Sequence, residues 1–171
     1  MTVIKQAVSA EKAMSFTDDF MQKELADQLK TSRQNISHMK HGRRQMQIDV
    51  AEQGLENIDN NLFMLSVSSG FTKILPDVFS GEGIAQSPLS FAVHFDREAQ
   101  EFSEVLSRLF QLLAMRSQER HRLEMREIMY ELLDVLGWGY NLLCYVAEEM
   151  NFNVADLMKE RSETWKEEKF I

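Results

Sequence analysis

Between Gln28 and Ile48 the chain carries Lys30, Arg33, His38, Lys40, His41, Arg43 and Arg44 without a single acidic residue. Cationic, donor-rich side chains at this density suit the neutralisation of phosphates and the reading of base edges. The patch contrasts with the net charge of −8. Residues 1–50 hold eight Lys/Arg against six Asp/Glu, whereas the other 121 hold eleven against twenty-one. An acidic remainder repels nucleic acid and confines contact to one surface. A second group with chemical potential is Glu98, Glu101, Glu131 and Asp134, two carboxylate pairs spaced three residues apart. On facing helices such pairs suit Mg²⁺, which takes oxygen ligands and retains water for attack on a phosphate. The lone Cys144 excludes an intrachain disulfide and a thiolate metal cage and reads as a buried small hydrophobe. No G-x-S-x-G, phosphate-binding glycine loop or C-x-x-C occurs, so no catalytic residue is assigned.

Helices must position these groups. Of 171 residues, 44% are hydrophobic, with only seven Gly and two Pro, so an all-α protein with a real core is expected. No apolar run reaches the roughly 18 residues of a membrane span, and no basic stretch followed by an apolar segment opens the chain. The expectation is a soluble, cytoplasmic protein without membrane contact. Both prolines and three of the glycines fall between Val67 and Ser90, which divides the chain into residues 1–70, a connector at 71–90, and residues 91–171. Part of the connector, Phe71 to Phe79, is expected to pack on a neighbour. Five short helices are expected before it, at about residues 3–15, 22–29, 32–40, 48–58 and 60–69. Two long ones, Phe91 to Met115 and Glu119 to Met150, follow it, and a last helix runs from Val154 to Lys169, with Asn153 and Asp156 set as a capping box.

The segment from Gln22 to Gly42 has an apolar skeleton of Leu25, Ala26, Leu29, Thr31, Ile36 and Met39. Two helices crossing through a short turn need a small residue at their closest approach, which Ala26 supplies. Ser32 is placed to cap the second helix, Ile36 and Met39 to bury its inner side, and Gly42 to end it. Arg33, Gln34, Asn35, Ser37, His38 and Lys40 are then left on a polar face, with Arg43 and Arg44 beyond it.

Through Gln22-Lys-Glu-Leu-Ala26 and Ser32-Arg-Gln-Asn-Ile-Ser37, residues 20–52 resemble the helix-turn-helix of the Xre/Cro/phage-repressor family. The resemblance extends over about 70 residues with the flanking helices. It implies a sequence-specific transcriptional regulator of prophage or mobile-element type, repressor-like, binding double-stranded operator DNA as a homodimer. By position Gln22 would meet the phosphate backbone, Arg33, Gln34, Ser37 and His38 would face bases, and Lys40, Arg43 and Arg44 would face phosphates, with Ser32 and Asn35 at the same surface. Lys30 departs from the pattern, because the family commonly has Gly in this turn.

After the connector, Phe91, Phe95, Ala99, Phe102, Leu106, Leu109 and Leu113 share one helical stripe. Met125, Ile128, Met129, Leu132, Leu136, Gly139, Leu143, Val146 and Met150 form a broad apolar face on the next helix. A helical bundle that pairs subunits is expected. The other side of that helix presents Glu127, Glu131, Asp134, Trp138, Asn141 and Tyr145, a stripe that needs a partner and reads as a subunit interface, a docking surface on the first domain, a metal and ligand site, or a contact for another protein. Glu98-x-x-Glu101, Glu131-Leu-Leu-Asp134 and Asn153-Val-Ala-Asp-Leu157 resemble the MazG-like all-α nucleoside triphosphate pyrophosphohydrolases. That resemblance implies, as the alternative, a Mg²⁺-dependent activity of Glu98, Glu101, Glu131 and Asp134, although Arg97 stands where the family has a second Glu. A protein-binding adaptor or antitoxin-like partner is a third reading.

Overall fold

Side-chain caps at Ser32, Asn60, Ser87 and Asn153 each start a helix. The computed structural model describes residues 7–115 and 121–171. Its elements are β1 (Ala7–Ser9), α1 (Glu11–Ser15), α2 (Gln22–Gln28), α3 (Arg33–Lys40), β2 (Gln45–Gln47), α4 (Ile48–Asn57), α5 (Asn61–Thr72), α6 (Pro88–Ala114), α7 (Arg122–Met150) and α8 (Val154–Glu167). The protein is mostly helical, as composition implies. Among the described residues no helix is long and apolar enough to cross a membrane.

The first expected helix is corrected in part. Residues 3–6 lie outside the described residues, and 7–9 form a strand that pairs antiparallel with β2, Val8 opposite Met46. Val8 and Met46 point inward while Ser9, Gln45 and Gln47 stay exposed. This is the alternation of a half-buried strand, in a pattern three residues long that a helical reading absorbs. The expected start of α7 at Glu119 lies outside the described residues, and the helix is described from Arg122.

Two units divide the described chain, and the boundary is discontinuous. Residues 79–143 form one unit, while residues 144–171 belong with residues up to 78. The expected division at residues 71–90 therefore fails on its C-terminal side. The reason is a set of long-range bonds on buried Asn61. Its backbone N–H donates to the Glu148 carboxylate, its amide donates to Phe152 O at 2.8 Å, and its side-chain oxygen accepts from Val154 N at 2.7 Å. Asn153 adds a bond to Asp59 at 2.7 Å and caps α8 by accepting from Ala155 N and Asp156 N. The small polar cavity beside this junction, about 30 Å³, is too small for an organic ligand.

The core of this first unit gathers Val8, Met14, Leu25, Leu29, Ile36, Met39, Met46, Ile58, Phe63, Val67 and Phe71. The connector packs as expected at Phe71 and Val78, both buried, and Lys12 pins it by pairing with Asp77 at 3.2 Å and donating to Val78 O. Cys144 is buried, and that burial, with the Glu148 charge, pushes its thiol up to about 12.

In the second unit α6 and α7 form an antiparallel hairpin. Phe91 meets Trp138, Phe95 lies against Gly139, and Arg108 pairs with Glu124. Helix α6 starts three residues earlier than the apolar stripe indicates, because Ser87 caps it by accepting from Ser90 N and Pro88 occupies its first turn.

Candidate nucleic-acid interface

The α2–α3 connection is built from two local devices. Helix α2 closes with Thr31 N donating to Ala26 O at 2.9 Å and Lys30 N to Asp27 O at 3.3 Å, a Schellman pattern that needs a left-handed residue. Lys30 takes that role at φ 46°, so the turn keeps a left-handed residue with a side chain where a glycine is cheaper. Ser32 then accepts from Asn35 N at 3.2 Å and starts α3. Gly42, at φ 67°, ends it in a second Schellman pattern, with Arg43 N donating to His38 O at 2.8 Å.

This framing fixes the rotation of α3. Ile36 is 0% and Met39 2% exposed, both in the core. On the other side Ser32, Arg33 and Gln34 are exposed, and Ser37 and His38 are half-buried. Gln22, the first residue of α2, is exposed, as are Arg43 and Arg44 in the loop leading to β2. All ten residues selected from sequence are thus exposed or half-buried, and Ser32, Asn35, Lys40 and Arg44 also bond within the chain.

Asn35 and Lys40 each make two side-chain bonds within the chain. Asn35 donates to Thr31 Oγ1 at 2.9 Å and accepts from Arg44 Nη1 at 2.7 Å, so its amide holds the basic loop against α3. Lys40, with 16% of its side chain exposed, donates to Asp18 Oδ1 at 2.8 Å and to Thr17 O at 3.2 Å. It anchors the end of α3 to the segment before α2 instead of facing a phosphate. Asp18 carried no sequence signal, being 22 residues from its partner. Gln45 and Gln47, exposed on β2 next to the arginines, were also missed; the Gln-Met-Gln alternation was the available signal.

The acidic group lies in the second unit. Carboxylate oxygens of Glu98, Glu101 and Glu131 all lie within 4.8 Å of one another, and Glu98 is buried. Asp134, on the next turn of α7, stands outside this set. Partial desolvation, then the charges of Glu101, Asp134, Glu98 and Glu127, hold the Glu131 carboxyl above its ordinary range. Desolvation and Glu98 do the same to Asp134. Arg97 bonds to Glu98 and approaches Glu101 at 3.7 Å, supplying positive charge that a cation would otherwise bring.

Within the stripe that includes these acids, Trp138 and Asn141 pack on the chain's own residues, while Glu127 and Asp134 are exposed. Trp138 stacks on His94 at 4.2 Å and 11° and takes the edge of Phe79 at 4.8 Å. Asn141, fully buried, accepts from Phe79 N at 2.7 Å and donates to Gly137 O at 2.9 Å. Tyr145 is half-buried within the first unit.

No family model matches the chain, and no curated protein or solved structure is similar enough to count as a relative.

Proposed function

We propose that the chain is a sequence-specific DNA-binding regulator of helix-turn-helix type, with α3 as its recognition helix, acting as a two-fold pair on operator DNA. The observation that carries this reading is the two-sidedness of α3. Ile36 and Met39 lock it to the core while Arg33, Gln34, Ser37 and His38 stay at the surface, flanked by Gln22, Arg43 and Arg44. Donor-bearing side chains on one face of a short, capped helix suit base edges in a major groove, and the flanking arginines suit phosphates. Its mechanism is occupancy of a promoter. A two-fold pair reads half-sites about 34–36 Å apart, hence a roughly palindromic site.

The test is a binding titration against genomic fragments at several salt concentrations. One fragment is expected to bind at least about 10³-fold tighter than bulk DNA, with affinity falling steeply as salt rises. Binding without preference for any fragment, or insensitive to salt, overturns the reading.

A second reading is favoured by the convergence of Glu98, Glu101 and Glu131. These carboxylates are of the right chemistry for Mg²⁺, which would supply an activated water for pyrophosphate release from a nucleotide. Glu98, Glu101 and Glu131 would hold the ion, with Asp134 adjacent. Incubation with a nucleotide panel and Mg²⁺ decides: product that disappears in Asp134→Asn supports it, and no product removes it.

A further inference from the structure

The second unit is short of core. Among the described residues of 79–143, Phe91, Leu112 and Ile128 are the only large apolar side chains that are buried, and the other two buried side chains, Glu98 and Asn141, are polar. A hairpin of two long helices with so little buried apolar surface is marginal by itself. Its missing core is displayed on the outside.

Met129, Leu132, Leu136, Gly139 and Leu143 follow one another at spacings of three, four, three and four, the repeat of a helix that packs along a seam. Met129 is 56%, Leu136 44% and Leu143 37% exposed, with Leu133 beside them at 56%. Helix α6 contributes the matching stripe of Phe95, Ala99, Phe102, Leu106 and Leu109, all half-buried, and exposed Leu113. The two stripes adjoin, because a methyl group placed on Gly139 would come within 3.3 Å of the Phe95 ring. The acids lie on the opposite side of α7: Glu127, Glu131 and Asp134 are centred about 150° around the helix from the seam, at roughly 100° per residue.

We infer that this seam is the pairing surface for a second copy of the chain, two hairpins closing into a four-helix bundle. Three features select a second copy over another partner. Residues 79–143 hold ten acids against six Lys/Arg, a net −4, so two copies repel except through a charge-free face, and the seam is one. It leaves six large apolar side chains, Leu113, Met129, Leu132, Leu133, Leu136 and Leu143, each 37–56% exposed, a patch on the scale of the roughly 800 Å² each partner contributes to a standard stable interface. Residues flanking the seam, Val135, Tyr140 and Leu142, are uncharged, giving the wide apolar face of a four-helix bundle rather than the narrow one of a two-stranded coil. In an isologous pair the middle of the seam meets its own symmetry mate. Leu136 is that middle.

The surface deepens the two-fold pairing proposed above without depending on what α3 binds. Sedimentation of the full chain should give twice the 19.9 kDa chain mass at micromolar concentration. Leu136→Glu should weaken that association at least 100-fold, while Leu89→Glu, exposed on α6 outside the seam, should leave it unchanged. Leu136→Cys should cross-link to itself under mild oxidation, buried Cys144 remaining reduced. That cross-link decides the matter if Leu136→Glu fails to fold. A chain that stays monomeric at 50 µM, a dimer indifferent to Leu136→Glu, or no cross-link at position 136 overturns the inference. Arg33→Ala should leave the dimer intact whatever it does to DNA binding, so failure of the seam and failure of the DNA reading are told apart.

Discussion

Arg44 donates from Nη1 to the side-chain oxygen of Asn35 at 2.7 Å, tying the loop after α3 to the helix nine residues before it. The bond leaves other guanidinium N–H groups of Arg44 to contact phosphate, but fixes where they are presented. In the DNA-binding reading proposed above, Asn35 would therefore position the loop rather than read bases. Asn35→Ala should weaken binding to all DNA sequences alike, whereas Arg33→Ala or Gln34→Ala should cost about 1–3 kcal/mol on the preferred site and relax preference. Arg43→Ala should lower affinity uniformly and reduce the salt slope by about 1. Titrations on operator and random duplexes check this; equal losses for Arg33→Ala on both would refute the assignment.

Lys30 holds a left-handed conformation at φ 46°, where a residue with Cβ is strained by roughly 1–2 kcal/mol and glycine is not. Part of that gain is returned by glycine's greater freedom in the unfolded chain. Lys30→Gly should raise stability by about 0.5–1 kcal/mol, and Lys30→Val should lower it. Thermal melts of the three proteins are the measurement, and an unchanged or lower midpoint for the glycine variant would count against this turn geometry.

Buried Asn61 bonds to Phe152 O and Val154 N through its side chain. Truncation strands both partners, so Asn61→Ala should cost about 2–3 kcal/mol, while Asn61→Asp cannot donate to Phe152 O at neutral pH. Hydrogen exchange at Val154 should accelerate in both variants. Protection equal to the parent chain would show that residues 152–154 are held some other way.

Glu131 and Asp134 are held above the ordinary carboxylate range, first by desolvation and then by neighbouring charge. A raised folded value means the folded state takes protons more readily than the unfolded one. Their contribution is complete below the ordinary range, near about pH 4, and is lost as pH rises through the raised values. Glu124 runs the other way: the Arg108 bond lowers it, giving stability that is present above the ordinary range and lost as pH falls through the lowered value. Glu131→Gln should therefore be more stabilising at pH 7 than at pH 4. Melts at the two pH values test it, and a pH-independent difference would place the effect outside the acid cluster.

What the sequence discloses is what is encoded locally. Ser32, Gly42 and Asn153 announce helix ends because each cap is a bond across two to five residues. Ile36 and Met39 announce the inner side of α3 because a short helix has one apolar stripe. Lys40 does not announce its role, since Asp18 reaches it only through the fold. Helix α7 misleads for another reason: it carries two stripes, and hydrophobicity assigns the interior to Met129, Leu132 and Leu136. The chain instead turns Trp138 and Asn141 inward, where His94, Phe79 and their own backbone satisfy them. Ser87 and Pro88 were hidden inside a breaker-rich segment although together they begin a helix.

The bonds from Asn61 to Glu148, Phe152 and Val154 span 87 to 93 positions of chain. During synthesis at about 5–20 residues per second, the start of α5 waits roughly 5–20 s for these partners to be made. Over that interval the start of α5 lacks the bonds that fasten it to residues 148–154.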